Sequence, residues 1–382
     1  DLSLGKLAIS ISEFDLDQMK IVVDEINLSD TRTTVIQTKQ PEVTEEVAEE
    51  KQPFNYDIGV AEINLKNIHG SFTQQALGQS IRLDLERSVL ETEKIDLKQN
   101  RIDLKSFLLH NSFLSVQQRA PQGGITSEKD YDPEPVAEKT AEESTPWTIA
   151  LQELDLAGNS IQFYDFTKPH TRHAVDFDHL WLTGFELDAE DLLMQGSNLK
   201  VNVNNLAFSE RSGFAIRTMS AGIDVSEKKA DLNKLLLTTS NSRIEIDAHA
   251  TFPSLKDLGK TYRQASFNAK INNTTLSLRD AVYFNPALAD SFPVAMINSG
   301  KIIVDAGFHG SVGNLNISHL LLKGFSETYI KASGRIRGLP EPANIHMNLV
   351  LDKFYTTEND LSPFLPDSLN LDIPDWVSLA GT

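Results

Sequence analysis

Apolar and polar residues alternate along this chain in short runs, and the runs recur from end to end. Ile81-Leu83-Leu85, Ile95-Leu97, Ile102-Leu104, Val201-Val203, Ile244-Ile246-Ala248-Ala250, Phe267-Ala269-Ile271 and Ile345-Met347-Leu349-Leu351 all have polar residues between their apolar ones. That is the period of a strand with one apolar and one polar face. Turn formers separate the runs, among them Gly158-Asn159, Gly196-Ser197-Asn198, Ser299-Gly300-Lys301 and Gly313-Asn314. Helical periodicity is brief, around Leu276 to Leu288 and Thr357 to Leu365, where an Asp near the start and a Pro near the end suit one or two turns. The pattern predicts an all-β, antiparallel fold with short helical turns.

The runs belong to longer repeats. Asp280, Phe284 and Pro286 recur as Asp360, Phe364 and Pro366, a separation of 80 residues in each case (360 − 280, 364 − 284, 366 − 286). Leu235-Leu236-Leu237 before NSRIEIDAHATF is answered by Leu320-Leu321-Leu322 before ETYIKASGRIRG. Near the N-terminus, the segment from Phe14 overlays the segment from Lys94, with Ile21 on Ile102, Val23 on Leu104 and Ile26 on Phe107. Such spacings exceed most solenoid periods, so each unit is expected to hold several strands. The two Asp positions suggest helix N-caps or turn formers. Catalysis there would require a repeated active site.

Two segments depart from the pattern. Lys39 to Pro53 holds five acids and two bases, and Ala120 to Pro146 holds seven acids and two bases, so together they supply −8 of the net charge of −19. Their Pro, Glu, Thr and Ala content predicts disorder. Each follows a matched strand pair, ending near Gln37 and Gln118, and the chain then resumes alike, Glu62, Ile63 and Leu65 matching Glu153, Leu154 and Leu156. They read as loops at equivalent positions of a repeat. The expected organisation is a β-repeat unit over 1–119 containing the first insert (39–53), the second insert over 120–146, a repeat unit over 147–260, and further units with short helices over 261–382.

Chemistry is scarce. With Cys 0, disulfides and thiolate metal sites are excluded. The acidic balance argues against nucleic acid and against adhesion to anionic head groups. No nucleophile elbow, phosphate loop or dinucleotide fingerprint is present, and the acid pairs Glu45-Glu46 and Glu142-Glu143 fall in the inserts. His170, His173 and His179 lie near Asp176 and Asp178. On a strand His170 and His173 would point to opposite faces, and the spacing matches no zinc motif, so a solvated turn and edge strand is the expected setting, with no metal and no cofactor. The chain is not expected to be an enzyme.

The remaining question is how so long a sheet covers its apolar face. A closed sandwich would bury it in a core about 10 Å thick. A curved sheet would leave it open for a ligand. The inward positions are mostly Ile, Leu and Val, with aromatics at 8% and tryptophan only at Trp147, Trp181 and Trp376, a lining suited to acyl chains rather than sugars.

Asn205 to Val225 with the following KKADLNKLLLTTSNSRIEIDAHATF, the paired Asp-x3-Phe-x-Pro segments and the ending IPDWVSLAGT resemble the TamB-type translocation and assembly module proteins of the AsmA-like superfamily, in their Bacteroidetes style. The resemblance covers about half the chain, from Asn205 onward. It implies an elongated β-taco, a repeating β-groove with an apolar concave face, that spans the periplasm and shields phospholipid acyl chains in transit between inner and outer membranes while supporting outer-membrane protein assembly. It also implies an inner-membrane anchor and an Omp85-type outer-membrane barrel as partners, both engaged through regions outside this segment, which is expected to be internal to a longer protein. Ile95, Leu97, Ile102, Leu104, Leu154, Leu156, Val201, Val203, Ile244 and Ile246 are the candidate groove-lining residues. The competing expectation is a structural or adhesive β-sandwich repeat of the cell envelope in which the same residues form a dry core.

Overall fold

The computed structural model describes residues 1–38, 57–121, 146–172, 174–292, 294–325, 327–341, 344–357, 360 and 379–381. The insert 39–53 and nearly all of the insert 120–146 lie outside them. The chain forms two compact units, one of Asp1–His170 with Asp176–Gly196 and one of Thr171–Val175 with Ser197–Thr382. The boundary therefore falls inside the segment 147–260, and the second insert falls within the first unit. Both units are β-sheets, as the alternation requires.

In the first unit the strands are β1 (Leu2–Ser3), β2 (Lys6–Asp15), β3 (Lys20–Gln37), β4 (Asp57–Gln74), β5 (Gln79–Asp96), β6 (Arg101–His110), β7 (Phe113–Gln118), β8 (Thr148–Asp165) and β9 (His179–Gln195). β1 and β2 lie end to end along β3, and β6 and β7 lie end to end between β5 and β8. The spatial order is β1/β2, β3, β4, β5, β6/β7, β8, β9. Two pairings, β3 with β4 and β6/β7 with β8, are parallel, a departure from the expected all-antiparallel sheet. Parallel neighbours need a connection that returns along the strand. A strand of 18 residues extends about 60 Å, and in the sequence each of the two parallel pairings is separated by one of the acidic inserts. The acidic inserts thus stand at equivalent positions, each between two strands that pair in parallel.

Strict period two breaks down inside these long strands. Apolar pairs at i and i+2 recur every five residues, as in Ile21/Val23 then Ile26/Leu28, Ile102/Leu104 then Phe107/Leu109, and Ile149/Leu151 then Leu154/Leu156. On a regular strand successive pairs would fall on opposite faces. Two lines of irregularity prevent it. One crosses the sheet at the register shifts Ser10/Ile11 and Glu91/Thr92 and at Asp191, whose φ is 55. The other passes through Asp30, Asn67, Asn111, Gly158 and Gly184, with φ of 54, 52, 51, 65 and 57. An extra residue at each crossing bends the strand and turns the next apolar pair back to the face of the one before.

Bending frees backbone groups, and the residue after the left-handed one recovers them. Asn159 accepts from the Ser112 N–H at 2.9 Å and donates to the Leu109 carbonyl at 2.8 Å. The Ser112 hydroxyl accepts from the Glu86 N–H at 3.3 Å and donates to the His110 carbonyl at 2.9 Å. Thr31, Ser112 and Asn159 are all buried. Only Gly fits at position 5, beside this crease, where a Cβ would stand 2.5 Å from the Ser29 and Asp30 carbonyl oxygens.

The second unit is an antiparallel meander of β10 (Asn198–Glu210), β11 (Ala215–Val225), β12 (Lys229–Thr239), β13 (Arg243–Thr251), β14 (Ser266–Ser277), β15 (Lys301–Ser311), β16 (Asn314–Gly324), β17 (Thr328–Arg337), β18 (His346–Thr356) and β19 (Leu379–Gly381), each paired with the next. After β14 comes the helix Leu278–Phe284, whose N-cap is Ser277, not Asp280. Asp280 is 8% exposed and its carboxylate accepts from the Thr239 hydroxyl, from Asn241 Nδ2 at 2.7 Å and from the Ser242 hydroxyl at 2.6 Å. It thus pins the β12–β13 turn. Its repeat partner Asp360, 1% exposed, does the same for the β16–β17 turn, accepting from the N–H groups of Glu327 and Thr328, both at 2.9 Å, and from the Thr328 hydroxyl at 2.8 Å. The repeated Asp is a staple between a helical segment and a hairpin turn. Phe364 and Pro366 lie outside the described residues.

Two stability outcomes follow. Asn159→Ala strands a buried N–H and a carbonyl, so it should lower unfolding free energy by about 1–3 kcal/mol, read as a lower urea midpoint. Asp280→Ala removes a charged acceptor shared by three donors and should cost about 2–3 kcal/mol, whereas Arg279→Ala, at an exposed neighbour, should leave the midpoint unchanged.

Candidate functional site

Cross-strand partners share a face, so the pairing register assembles the apolar residues of the first unit into continuous rows. Ile9, Ile26, Ile63, Leu90, Phe107, Leu154 and Ala189 stand side by side on successive strands. Beside them run Leu7, Leu28, Leu65, Ser88, Leu109, Leu156 and Leu187. Beyond the first crease the face continues through Ile95, Ile102, Ile149 and Met194, and through Leu104, Leu151 and Leu192. Past the second crease it includes Val35, Phe72, Ile81, Val116, Phe163 and Leu180.

The opposite face of the central panel is acidic. Glu25, Glu62, Glu91, Ser106, Glu153 and Glu190 form one row, and Asn64 Nδ2 bridges Glu25 and Glu62 at 3.0 and 2.6 Å. The first unit is an amphipathic sheet.

The second unit repeats the design. Leu235, Ile246, Ile271, Ala306, Leu320, Ala332 and Leu351 form one apolar row. Val201, Ile223, Leu232, Ala248, Ala269, Phe308 and Ile317 form the next. The other face carries Lys200, Asp224, Asp231, His249, Asn268, His309, Asn316, Arg335 and Asn348 in register. There the His249 hydrogen bond, opposed by partial desolvation and assisted by Lys229, holds the Asp231 carboxyl below the usual carboxylate range.

The sequence candidates sit on these faces with one exception. Ile95 and Ile102 are register partners, and Leu104, Leu154 and Leu156 share their face in the first unit. Val201, Val203, Ile244 and Ile246 share the apolar face of the second. Leu97 does not belong: it starts the turn between β5 and β6 and is 44% exposed, because β5 ends at Asp96 and period two was extended one step too far. Sequence reasoning also missed Ile63, Leu90, Phe107 and Leu109. The five-residue recurrence of apolar pairs was the signal that marks them.

Exposure separates an open face from a closed core. Ile102, Leu104, Leu154, Leu156, Val203, Ile244 and Ile246 are half-buried, and of the ten candidates only Val201 is buried. Leu7, Ile9, Ile11, Val35 and Ile81 are 49%, 52%, 51%, 49% and 44% exposed. Inward positions of a closed sandwich would lack such exposure. Among the described residues no helix is long and apolar enough to cross a membrane.

The histidine segment falls between and at the start of strands. His170 and Asp176 are in the β8–β9 loop and His179 opens β9, so strand alternation does not govern them. Asp176 and His179 are buried rather than solvated. His179 Nδ1 lies 2.9 Å from Asp176 Oδ2, and His170 Nδ1 lies 3.7 Å from the same oxygen. The two imidazoles stack with centroids 3.7 Å apart. His173 lies outside the described residues. Asp178 points its N–H at Asp176 Oδ1, 3.2 Å away.

No family model, curated protein or solved structure matches this chain.

Proposed function

We propose that this chain is the body of an envelope scaffold that shields phospholipid acyl chains on an apolar β-face as they move between inner and outer membranes. The observation that carries the reading is the aliphatic face: in each unit it runs across the strands with most of its large side chains only half-buried, and it is backed by a polar face. A soluble sheet with nothing to cover such a face loses free energy to hydration of its Ile, Leu and Val side chains. An acyl chain laid along it removes both surfaces from water. At about 0.8 kcal/mol per CH₂, a chain of about 16 carbons represents on the order of 10 kcal/mol of hydration cost, which the face offsets in part during transfer.

Head groups would remain toward solvent, consistent with a face that offers aliphatic contact and few charges. No bond is made or broken in this mechanism, and the chain is read as a non-enzyme without cofactor. The resemblance to the TamB-type proteins adds the periplasmic setting, the inner-membrane anchor, the Omp85-type barrel as partner and a contribution to outer-membrane protein assembly, all through regions beyond this segment. The half-exposed aliphatic rows weigh against the adhesive sandwich alternative, which needs them dry.

The test is mass spectrometry of lipids extracted from the purified chain. Phospholipid at near-stoichiometric amounts is expected in the parent. A Leu104→Glu, Ile246→Glu variant should lose most of it with an unchanged circular dichroism spectrum, while Glu153→Gln on the opposite face should keep it. A folded parent that carries no lipid, or a charged variant that keeps its full complement, would overturn the reading.

A further inference from the structure

Among the described residues histidine meets aspartate at five places: His69–Asp84, His110–Asp155, His249–Asp231, His319–Asp305 and the His170/His179–Asp176 cluster. The first four join one imidazole to one carboxylate on the polar face. His69 and His319 have partners on both ring nitrogens, Asp84 with Asn67 and Asp305 with Ser318.

The fifth is built differently. One nitrogen from each of His170 and His179 and one oxygen of Asp176 lie within 4.8 Å of one another. The His179 side chain is 1% exposed and that of Asp176 is 11% exposed, while the His170 side chain, at 54%, closes the cluster from the solvent side. Tyr164, the register partner of His179, presents its ring edge-on to the His179 ring, with centroids 5.6 Å apart. The backbone N–H of His179 donates to the Asp176 carbonyl at 3.0 Å, so the loop is tied to the strand at both main chain and side chain. His179 Nε2 is buried with no hydrogen-bond partner. It is the ring's other nitrogen, Nδ1, that faces Asp176 Oδ2.

We propose that His170, Asp176 and His179 form a binding site for a divalent transition-metal ion, with Zn²⁺ as the simplest occupant. Imidazole nitrogens and a carboxylate oxygen are ligands of the type zinc accepts. Bonds of 2.0–2.2 Å in a tetrahedron place neighbouring ligand atoms about 3.3 Å apart. The observed separations from Asp176 Oδ2, 2.9 Å to His179 and 3.7 Å to His170, bracket that value, and exposed His170 has room to adjust. Three protein ligands leave a position open on the solvent side. The metal would lock the β8–β9 loop onto its strands. The site is independent of the apolar face, since neither histidine belongs to its rows.

The full chain, stripped of metal by a chelator, is titrated with Zn²⁺ near neutral pH in competition with a chromophoric indicator. A single equivalent should bind with a Kd of about 1 µM or tighter, and the thermal unfolding midpoint should rise on loading. His170→Ala, at an exposed position that leaves folding intact, should weaken binding at least ~10-fold and abolish the thermal shift. His179→Gln should do the same. His110→Ala, at a pair on the polar face, should bind as the parent does. A parent that binds no Zn²⁺, binding that survives both cluster substitutions, or a His110→Ala loss as large as that of His170→Ala overturns the site.

Discussion

The constraint on which the rest of the first unit depends is that apolar side chains must stay on one face of strands up to 18 residues long. Period two alone would achieve this only with apolar residues at every second position. The chain instead places apolar pairs every five residues, and each pair would alternate faces if the strands were regular. The two lines of bulges and left-handed residues resolve the conflict. The other local features follow from them: the edge strand breaks into β1 and β2 at Gly5, the β6/β7 rank breaks at Asn111 and Ser112, and Thr31, Ser112 and Asn159 are buried polar residues because the bent backbone needs their side-chain groups.

A second consequence is energetic. A sheet with half-exposed aliphatic rows gains less from burial than a sandwich does, so backbone ladders, cross-strand pairs and corner hydrogen bonds take a larger share of its stability. The second unit shows the same economy. Its buried carboxylates Asp280 and Asp360 replace a packed core at two hairpin turns with networks in which each donor is matched. Both units keep a polar face, and the acidic rows of the first unit keep that face in water. On the proposed reading, the apolar face is left to a lipid.

Much of this was legible in the residues. Alternation identified the strands, and the Asp280/Asp360 repeat located two equivalent pieces of the meander. The overlay of Ile21, Val23 and Ile26 on Ile102, Leu104 and Phe107 was correct because β3 and β6 play the same part, each paired in parallel with the strand that follows its insert. Leu97 was misplaced because a strand end leaves no mark in a period of two. Parallel pairing was missed because hairpin signals describe neighbours in sequence, and β3 meets β4 only after a long return. Asp280 looked like an N-cap by position, yet Ser277 caps the helix, and Asp280, three places further on, turns its carboxylate to the hairpin turn instead.

The sequence by itself determined that the chain makes strands, that each has an apolar side, that its surface is acidic and that it holds no cysteine chemistry. These are properties of composition and short-range period, which no partner segment can change. Tertiary structure alone decided that the apolar pairs share a face, that this face stays half-exposed, and that His170, Asp176 and His179 converge on one point. The reason is that each depends on where a strand is bent or how a loop folds back, and those positions are set by pairing between residues far apart in the chain.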